Sequence, residues 1–331
     1  MSALRGVNLG GWLVLERWMT PALFEGTNAE DEYMWMQTPG AVTTVDTHRK
    51  EFIQEADFRW IATHGIDVIR IPVGYWVLVG DGPYVEAASY LDWAMDMAAK
   101  HKLRVLLCLH GAPGSQNGYD HSGHKGKAAW YSDVAYRSRT VDTLVQLAKR
   151  YKDHTALWGI ELLNEPRIKL FQGTLRRFYR DAYRALVTIL PQSVHIVFHD
   201  AFTPHLLSGA IRARGSSVMM DIHWYHFTYW AFRWTPLSLY YKFILPWHQR
   251  TIQSLARRQP IIVGEWSGVI AGEVLNKYDV SLHDEMCRDN IRRQLAVYEK
   301  ATAWFYWTYK TQDPGIWNYR SLVETDPSTF E

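Results

Sequence analysis

Polar and aromatic residues recur at the ends of short apolar runs along this 331-residue chain, where a strand would hand over to a loop. Arg70 and the pair Tyr75-Trp76 follow one such run, His110 another, Asn164-Glu165 a third and His199-Asp200 a fourth. His223 with Tyr225, then Glu265-Trp266, then Trp307 continue the series. Turn residues are the ordinary occupants of such positions, so the recurrence asks for a chemical reason. Two of these residues are carboxylates that close strongly apolar stretches. Glu165 ends Trp158-Gly-Ile-Glu-Leu-Leu-Asn-Glu-Pro166, and Glu265 ends Ile261-Ile-Val-Gly-Glu-Trp266. Both are expected to project into one water-restricted cleft. A convergent pair of this kind is what glycoside hydrolysis requires: one carboxylic acid to protonate the departing oxygen, and one carboxylate to attack or stabilise the anomeric carbon. A buried salt bridge is the commoner use of a single Glu at a strand end. Two such ends, one preceded by Asn and one followed by Trp, favour the chemical use.

The elements that must hold these residues alternate. Apolar runs rich in β-branched residues fall at 5–9, 67–73, 104–110, 157–163, 193–199, 218–224, 260–266 and 303–309, and read as strands. Stretches of helical period at 47–64, 87–101, 136–154, 175–189, 204–213, 239–258 and 282–300 lie between them. Leu91, Met95 and Ala98, spaced by four and three, form the inward stripe of one helix. Eight strands in βα alternation without a break in composition predict one α/β domain over 1–331, a single (β/α)8 TIM barrel. Gly6-Val7-Asn8-Leu9-Gly10-Gly11 is not the phosphate loop that a doubly wound sheet carries after its first strand. The long insertions at 12–46, 111–135 and 225–238 all follow strands, on the face where barrels build active sites.

Composition narrows the partner. Lys plus Arg number 36 and Asp plus Glu 34, scattered along the chain, so neither nucleic acid nor an anionic membrane is expected to be captured electrostatically. No apolar run reaches the roughly 18 to 20 residues of a membrane helix. Sixteen tryptophans are an excess, and indole faces serve both core packing and stacking on sugar rings. Cys108 and Cys287 are read as thiols rather than a disulfide framework. The opening Met1-Ser-Ala-Leu-Arg-Gly6 leaves no room for a signal peptide, so a cytoplasmic location is expected, the alternative being a secreted protein whose signal has been trimmed. Oligomeric state stays open.

Several longer strings carry a resemblance. Arg5-Gly-Val-Asn-Leu-Gly-Gly-Trp-Leu-Val-Leu-Glu16, Ile69-Arg-Ile-Pro-Val-Gly-Tyr-Trp76, Leu109-His-Gly-Ala-Pro-Gly-Ser-Gln-Asn-Gly118, Gly159-Ile-Glu-Leu-Leu-Asn-Glu-Pro166 and Val263-Gly-Glu-Trp-Ser267 resemble glycoside hydrolase family 5. Within it they are most similar to the exo-β-1,3-glucanase branch. The resemblance spans residues 5–311 in order, and the string from Leu109 to Gly118 is far more specific than Asn-Glu-Pro. It implies a retaining β-glycosidase acting on β-glucan or β-gluco-oligosaccharides, with no cofactor and no metal. Glu165 matches the family's acid/base and Glu265 its nucleophile. Asn164 is placed to bond the sugar 2-hydroxyl, Arg70 to hold Glu265 ionised and Tyr225 to bond it. His223 matches the histidine near the acid/base, His110 the one lining the first sugar subsite, and Trp307 the stacking platform. Glu16 and Asp120 match residues that contact the terminal glucose in the exo-acting branch.

Plainer uses remain for some residues. His110 and His223 could be core histidines bonded to backbone. The pairs His121/His124 and His195/His199 have spacings that could serve a metal, but no Cys or carboxylate in sequence completes either set. Trp12, Trp18, Trp60, Trp93 and Trp158 are assigned to the core, and Trp76, Tyr119, Phe227, Trp230 and Trp317 to outer sugar subsites. Arg17-Trp18 and the aromatic density of 224–234 depart from the family pattern, so linkage and chain length are the least fixed. The competing functions are a β-glucosidase of other linkage or aglycone, a transglycosylase, and a carbohydrate-binding barrel without catalysis.

Overall fold

A computed structural model describes residues 2–167, 172–211, 218–228 and 230–331, without the side chains of residues 230 and 231. Its strands β1 (Leu4–Asn8), β2 (Val68–Gly74), β3 (Arg104–Gly111), β4 (Leu157–Glu161), β5 (His195–His199), β6 (Val218–His223), β7 (Ile261–Trp266) and β8 (Ala303–Tyr306) close into one parallel barrel in sequence order. Each expected strand lies within three residues of an observed one, because a parallel strand buried on both faces leaves a continuous apolar run in the sequence.

Period-two alternation explains how the barrel changes character along its axis. Val68, Leu106, Val197, Met219, Ile262 and Phe305 pack together as an inner apolar layer with Trp158. Two residues further along most of these strands stand Arg70, Cys108, His199, Asp221 and Trp307, so the next layer inward is polar and aromatic. The alternate set, including Ile69, Leu107, Ile160, Phe198, Ile222 and Val263, faces the helices in the main core.

Helices Ala41–Phe52 and Glu55–Thr63 follow β1, Ala88–Lys100 follows β2, Val134–Tyr151 follows β3 and Gly173–Leu186 follows β4. Leu245–Ala256, His283–Tyr298 and Tyr319–Thr325 follow β6, β7 and β8. The single helix expected over 47–64 is two, because Gln54 and Asp57 form a capping box that starts a new helix. Asp57 also accepts from Tyr309, Lys310 and Arg320, which ties this break to the C-terminal segment. The helix expected over 204–213 is one turn, Pro204–Leu207, and 212–213 lie outside the described residues. Both cysteines are free and buried. Among the described residues no helix is long and apolar enough to cross a membrane.

Candidate active site

Arg70 is the hub of the polar layer. Fully buried on β2, it donates all five of its N–H groups. Nε and Nη2 clamp Glu161 of β4 at 2.8 and 3.2 Å, Nη1 reaches Asn8 of β1 at 2.8 Å and Glu265 of β7 at 2.9 Å, and Nη2 reaches Asn164 at 2.7 Å. Asp221 of β6 stands 4.0 Å from the same guanidinium. One cation is therefore surrounded by three buried carboxylates, the arrangement that a fork of rigid donors suits better than a lysine ammonium.

Strict alternation from Ile262 would turn Glu265 away from the interior. A register shift between Ile222 and His223 against β7 sets His223 level with Glu265 instead. Gly264 makes this possible. Its amide donates to Asp221 at 2.6 Å, and a Cβ there would lie 2.0 Å from an Asp221 oxygen. Glu265 then receives Arg70 on one oxygen and the Tyr225 hydroxyl, at 2.9 Å, on the other.

Glu165 is set by the loop after β3. Gln116 donates to the carbonyls of His110 and Asn164 at 2.7 and 3.0 Å, and Asn117 donates to the Glu165 carbonyl at 3.1 Å. Glu165 itself has a φ of +38°, a left-handed value held by these bonds. Its carboxyl lies 2.8 Å from His223 Nδ1, and a Glu265 oxygen lies 3.5 Å from that same nitrogen. Two carboxyls that share one imidazole nitrogen suit the close pair of a retaining enzyme, about 5 to 5.5 Å, better than the wider pair of an inverting one. On its other nitrogen His223 meets Asp221 at 3.2 Å.

The two carboxyls titrate differently. Burial pushes Glu265 up to about 7, while Arg70 and the Tyr225 hydroxyl pull it back. Burial raises Glu165 well above the usual range, and the charge of Glu265 raises it further. Glu165 therefore holds its proton after Glu265 has lost its own. Burial, reinforced by Arg70, keeps His110 and His223 neutral.

Above this floor a cleft of about 360 Å³ is walled by Glu16, Trp18, His121, Phe202, Phe227, Trp307 and Trp317, with Glu165, Tyr225, Thr228 and Glu265 also lining it. Trp307 lies parallel to His110 with ring centres 5.5 Å apart. Glu16 accepts from the Trp18 indole at 2.8 Å, and burial followed by the charge of Asp120 raises its pKa well above the usual range.

Of the residues singled out from sequence, Arg70, His110, Asn164, Glu165, His223, Tyr225, Glu265, Trp307 and Glu16 gather here. Asp120 is half-buried beside Glu16 and does not line the cleft. Tyr119 is 61% exposed at the rim with its ring edge toward His121, 5.6 Å between centres, and is not a cleft wall. Two tryptophans exchange their expected places. Trp76 is 1% exposed, stacked on Tyr84 at 3.8 Å in space kept open by Gly74, Gly111 and Gly123. Trp18 is 42% exposed and forms a cleft wall against Trp317, 5.2 Å between centres. The Trp230 side chain lies outside the described residues.

The histidine pairs do not form metal sites of their own. His195 lines a depression at the N-terminal end of the barrel with Trp158 and Arg104, and His124 stacks on Tyr33 at the surface. His199 joins His223 and Glu165 instead, donor atoms within 4.8 Å, and Glu161, Asp221 and His223 form a second such group. The carboxylates missing from the sequence spacing thus come from neighbouring strands. Both His223 nitrogens already face carboxylates, and Arg70 supplies the cation to Glu161 and Asp221. Asn8, Glu161 and Asp221 are not among the residues the sequence singles out, and His199 stands there only as a polar strand end and in a histidine pair. The inward period on β1, β5 and β6 is the signal for Asn8, His199 and Asp221, whereas on β4 a register shift against β3 at Leu106 breaks the period between Trp158 and Glu161.

The model of the cellulase family, glycosyl hydrolase family 5, matches residues 29–313. A probable glucan 1,3-beta-glucosidase A of Aspergillus clavatus is 35% identical over 366 residues, covering 97% of this chain and 86% of the relative. A glucan 1,3-beta-glucosidase of Blumeria graminis is 34% identical over 376 residues, covering 97% and 85%. In fold, the chain is similar to a rutinosidase from Aspergillus niger, with a TM-score of 0.83 at 19% identity over 100% of this chain and 98% of that one. An endoglucanase from Thermotoga maritima gives a TM-score of 0.62 at 17% identity, over 99% and 95%.

Proposed function

Because the chain belongs to glycosyl hydrolase family 5, we propose that it is a retaining β-glycosidase releasing glucose from the ends of β-1,3-linked gluco-oligosaccharides. The observation that carries this reading is the pair of carboxyls, Glu165 and Glu265, both within 3.5 Å of His223 Nδ1 and made unequal by their neighbours. Glu265, kept ionised by Arg70 and Tyr225, attacks the anomeric carbon. The bond to the leaving oxygen breaks, and that oxygen takes the proton of Glu165. Glu165, now a carboxylate, removes a proton from water, which releases the sugar from Glu265 with its configuration retained. Neutral His223 orients Glu165 through Nδ1. Asn164 is fixed by Arg70 on its oxygen, which leaves its amide nitrogen, 3.4 Å from His110, to meet a sugar hydroxyl.

Support for glucose and for β-1,3 linkage comes from relatives named glucan 1,3-beta-glucosidase that cover 97% of this chain. Exo action draws on the wall formed by Glu16 and Trp18. An internal segment of a chain would leave without a partner the Glu16 oxygen that the Trp18 indole does not reach, at about 1 to 3 kcal/mol. The test is a time course on laminaripentaose followed by chromatography and NMR. Glucose plus tetramer should appear first, with the β-anomer ahead of mutarotation. Equal early dimer and trimer would mean an endo-acting cleft, and α-glucose formed first would mean inversion.

A further inference from the structure

The leaving-group side of the cleft continues into a second depression that is almost wholly apolar. It has a volume of about 500 Å³ and is lined by Pro204, Leu206, Phe232 and Trp247, with Thr203 and His205 at its edge. Phe202 lines both this groove and the catalytic cleft, so the two adjoin at this residue.

A chain of contacts fixes which end of the substrate faces that ring. Glu165 touches His223, His223 meets His199 edge-on with centres 4.3 Å apart, and His199 meets Phe202 in the same way at 5.1 Å. The ring is therefore linked through two histidines to Glu165, the carboxyl assigned to protonate the departing oxygen. The backbone is arranged to keep it there. Ala201 and Phe202 both adopt left-handed conformations, φ of +46° and +57°, which side-chain-bearing residues rarely take in succession. The His199 ring accepts from the Ala201 amide and the Asp200 carboxyl from the Phe202 amide, both at 2.9 Å, and these bonds hold the turn.

We propose that this groove is an outer extension of the leaving-group side, separate from the place of a second sugar, and that it takes the apolar part of a hydrophobic alcohol, so that β-glucosides of alkyl or comparable lipid-like alcohols are substrates of the same catalytic pair. The proposal rests on the glucosidase reading of Glu165 and Glu265 and extends it. A second sugar directed into the groove would leave most of its hydroxyls stripped of water without partners. A hydrocarbon loses nothing there, and gains by removing Leu206, 47% exposed, from water.

Wild-type kcat/KM is measured on methyl, butyl, hexyl and octyl β-glucosides below micelle formation, alongside laminaribiose. The leaving alcohols differ little in acidity, so chain length reports the groove alone. From butyl to octyl the value should rise about tenfold or more, given up to about fourfold per fully buried methylene. Leu206→Asp should remove most of that rise while methyl β-glucoside and laminaribiose turn over as before. Laminaribiose hydrolysis with no gain from butyl to octyl would overturn the groove's role in binding hydrophobic alcohols and leave the glucosidase reading standing. Failure to cleave any of the β-glucosides or laminaribiose would overturn the glucosidase reading and this one with it.

Discussion

Glu165 and Glu265 are identical side chains whose surroundings differ, and the proposed function gives them opposite duties on that ground. Glu265 has two donors, the Arg70 guanidinium and the Tyr225 hydroxyl, and each favours its ionised form. Glu165 meets two neutral histidines, His223 at 2.8 Å and His121 at 3.5 Å, and faces the charge of Glu265. The dependence of kcat/KM on pH should therefore be a bell whose acidic limb belongs mainly to Glu265 and whose basic limb belongs mainly to Glu165, both being macroscopic values of a coupled pair. Tyr225→Phe removes a donor that lowers the pKa of Glu265. In that variant the acidic limb should move to higher pH, and activity below neutrality should fall more than at the optimum. Rate profiles from pH 4 to 9 check this, and an acidic limb that stays in place would mean that Tyr225 does not act on Glu265. Both glutamates were legible in the sequence because each closes an apolar run. Asp221 and Glu161 sit inside their runs, where a carboxylate reads as an interruption until the cation that compensates it, Arg70, is seen between them.

Between elements, small departures from regularity do the positioning. The shift between Ile222 and His223 against β7 brings Glu265 inward, and Gly264 leaves room for Asp221 beneath it. Gly264→Ala would drive a methyl into the Asp221 carboxyl, which is fixed by Gly264 itself and by His223. Overpacking of this kind costs typically about 1 to 3 kcal/mol, so the urea midpoint should fall, and kcat should fall with it because Glu265 is the next residue. An unchanged midpoint would mean that β7 yields without strain. The same scale explains the exchanged tryptophans. Trp76 follows a strand end and reads as a cleft wall, but Gly74, Gly111 and Gly123 leave a slot that its ring fills. Trp18 lies in a long insertion whose path no local pattern fixes, and the loop carries it over Glu16 into the cleft.

For the molecule as a whole, the Arg70 network is also a closure device, since it bonds residues on β1, β4 and β7 and the segment after β4. Arg70→Met would leave Glu161, Asp221 and Glu265 buried without their cation, a loss of roughly 3 to 5 kcal/mol where they are ionised. Arg70 lowers the pKa of all three, already about 7 for each, so its removal raises them further. A carboxyl whose folded pKa is raised contributes most below its unfolded pKa, and that contribution is lost as pH rises through the folded value. Both folded states hold these protons below about pH 7, so the gap in stability between variant and wild type should open as pH rises past that value, narrow at pH 6 and wider at pH 8.5. Urea unfolding at both values checks it, and a gap independent of pH would assign the loss to packing instead. The sequence by itself determined the alternation of strand and helix, the ends at which polar residues accumulate and the two glutamates among them. These are local matters, written in period two, in helical period and in the abrupt end of an apolar run. Only the tertiary structure decided which strand end faces which, because closing the barrel brings Asn8, Arg70, Glu161, Asp221 and Glu265 into one network from positions up to 257 residues apart. It also decided that Glu265 keeps its charge and Glu165 its proton, since that difference depends on distances across the barrel that no neighbouring residue encodes.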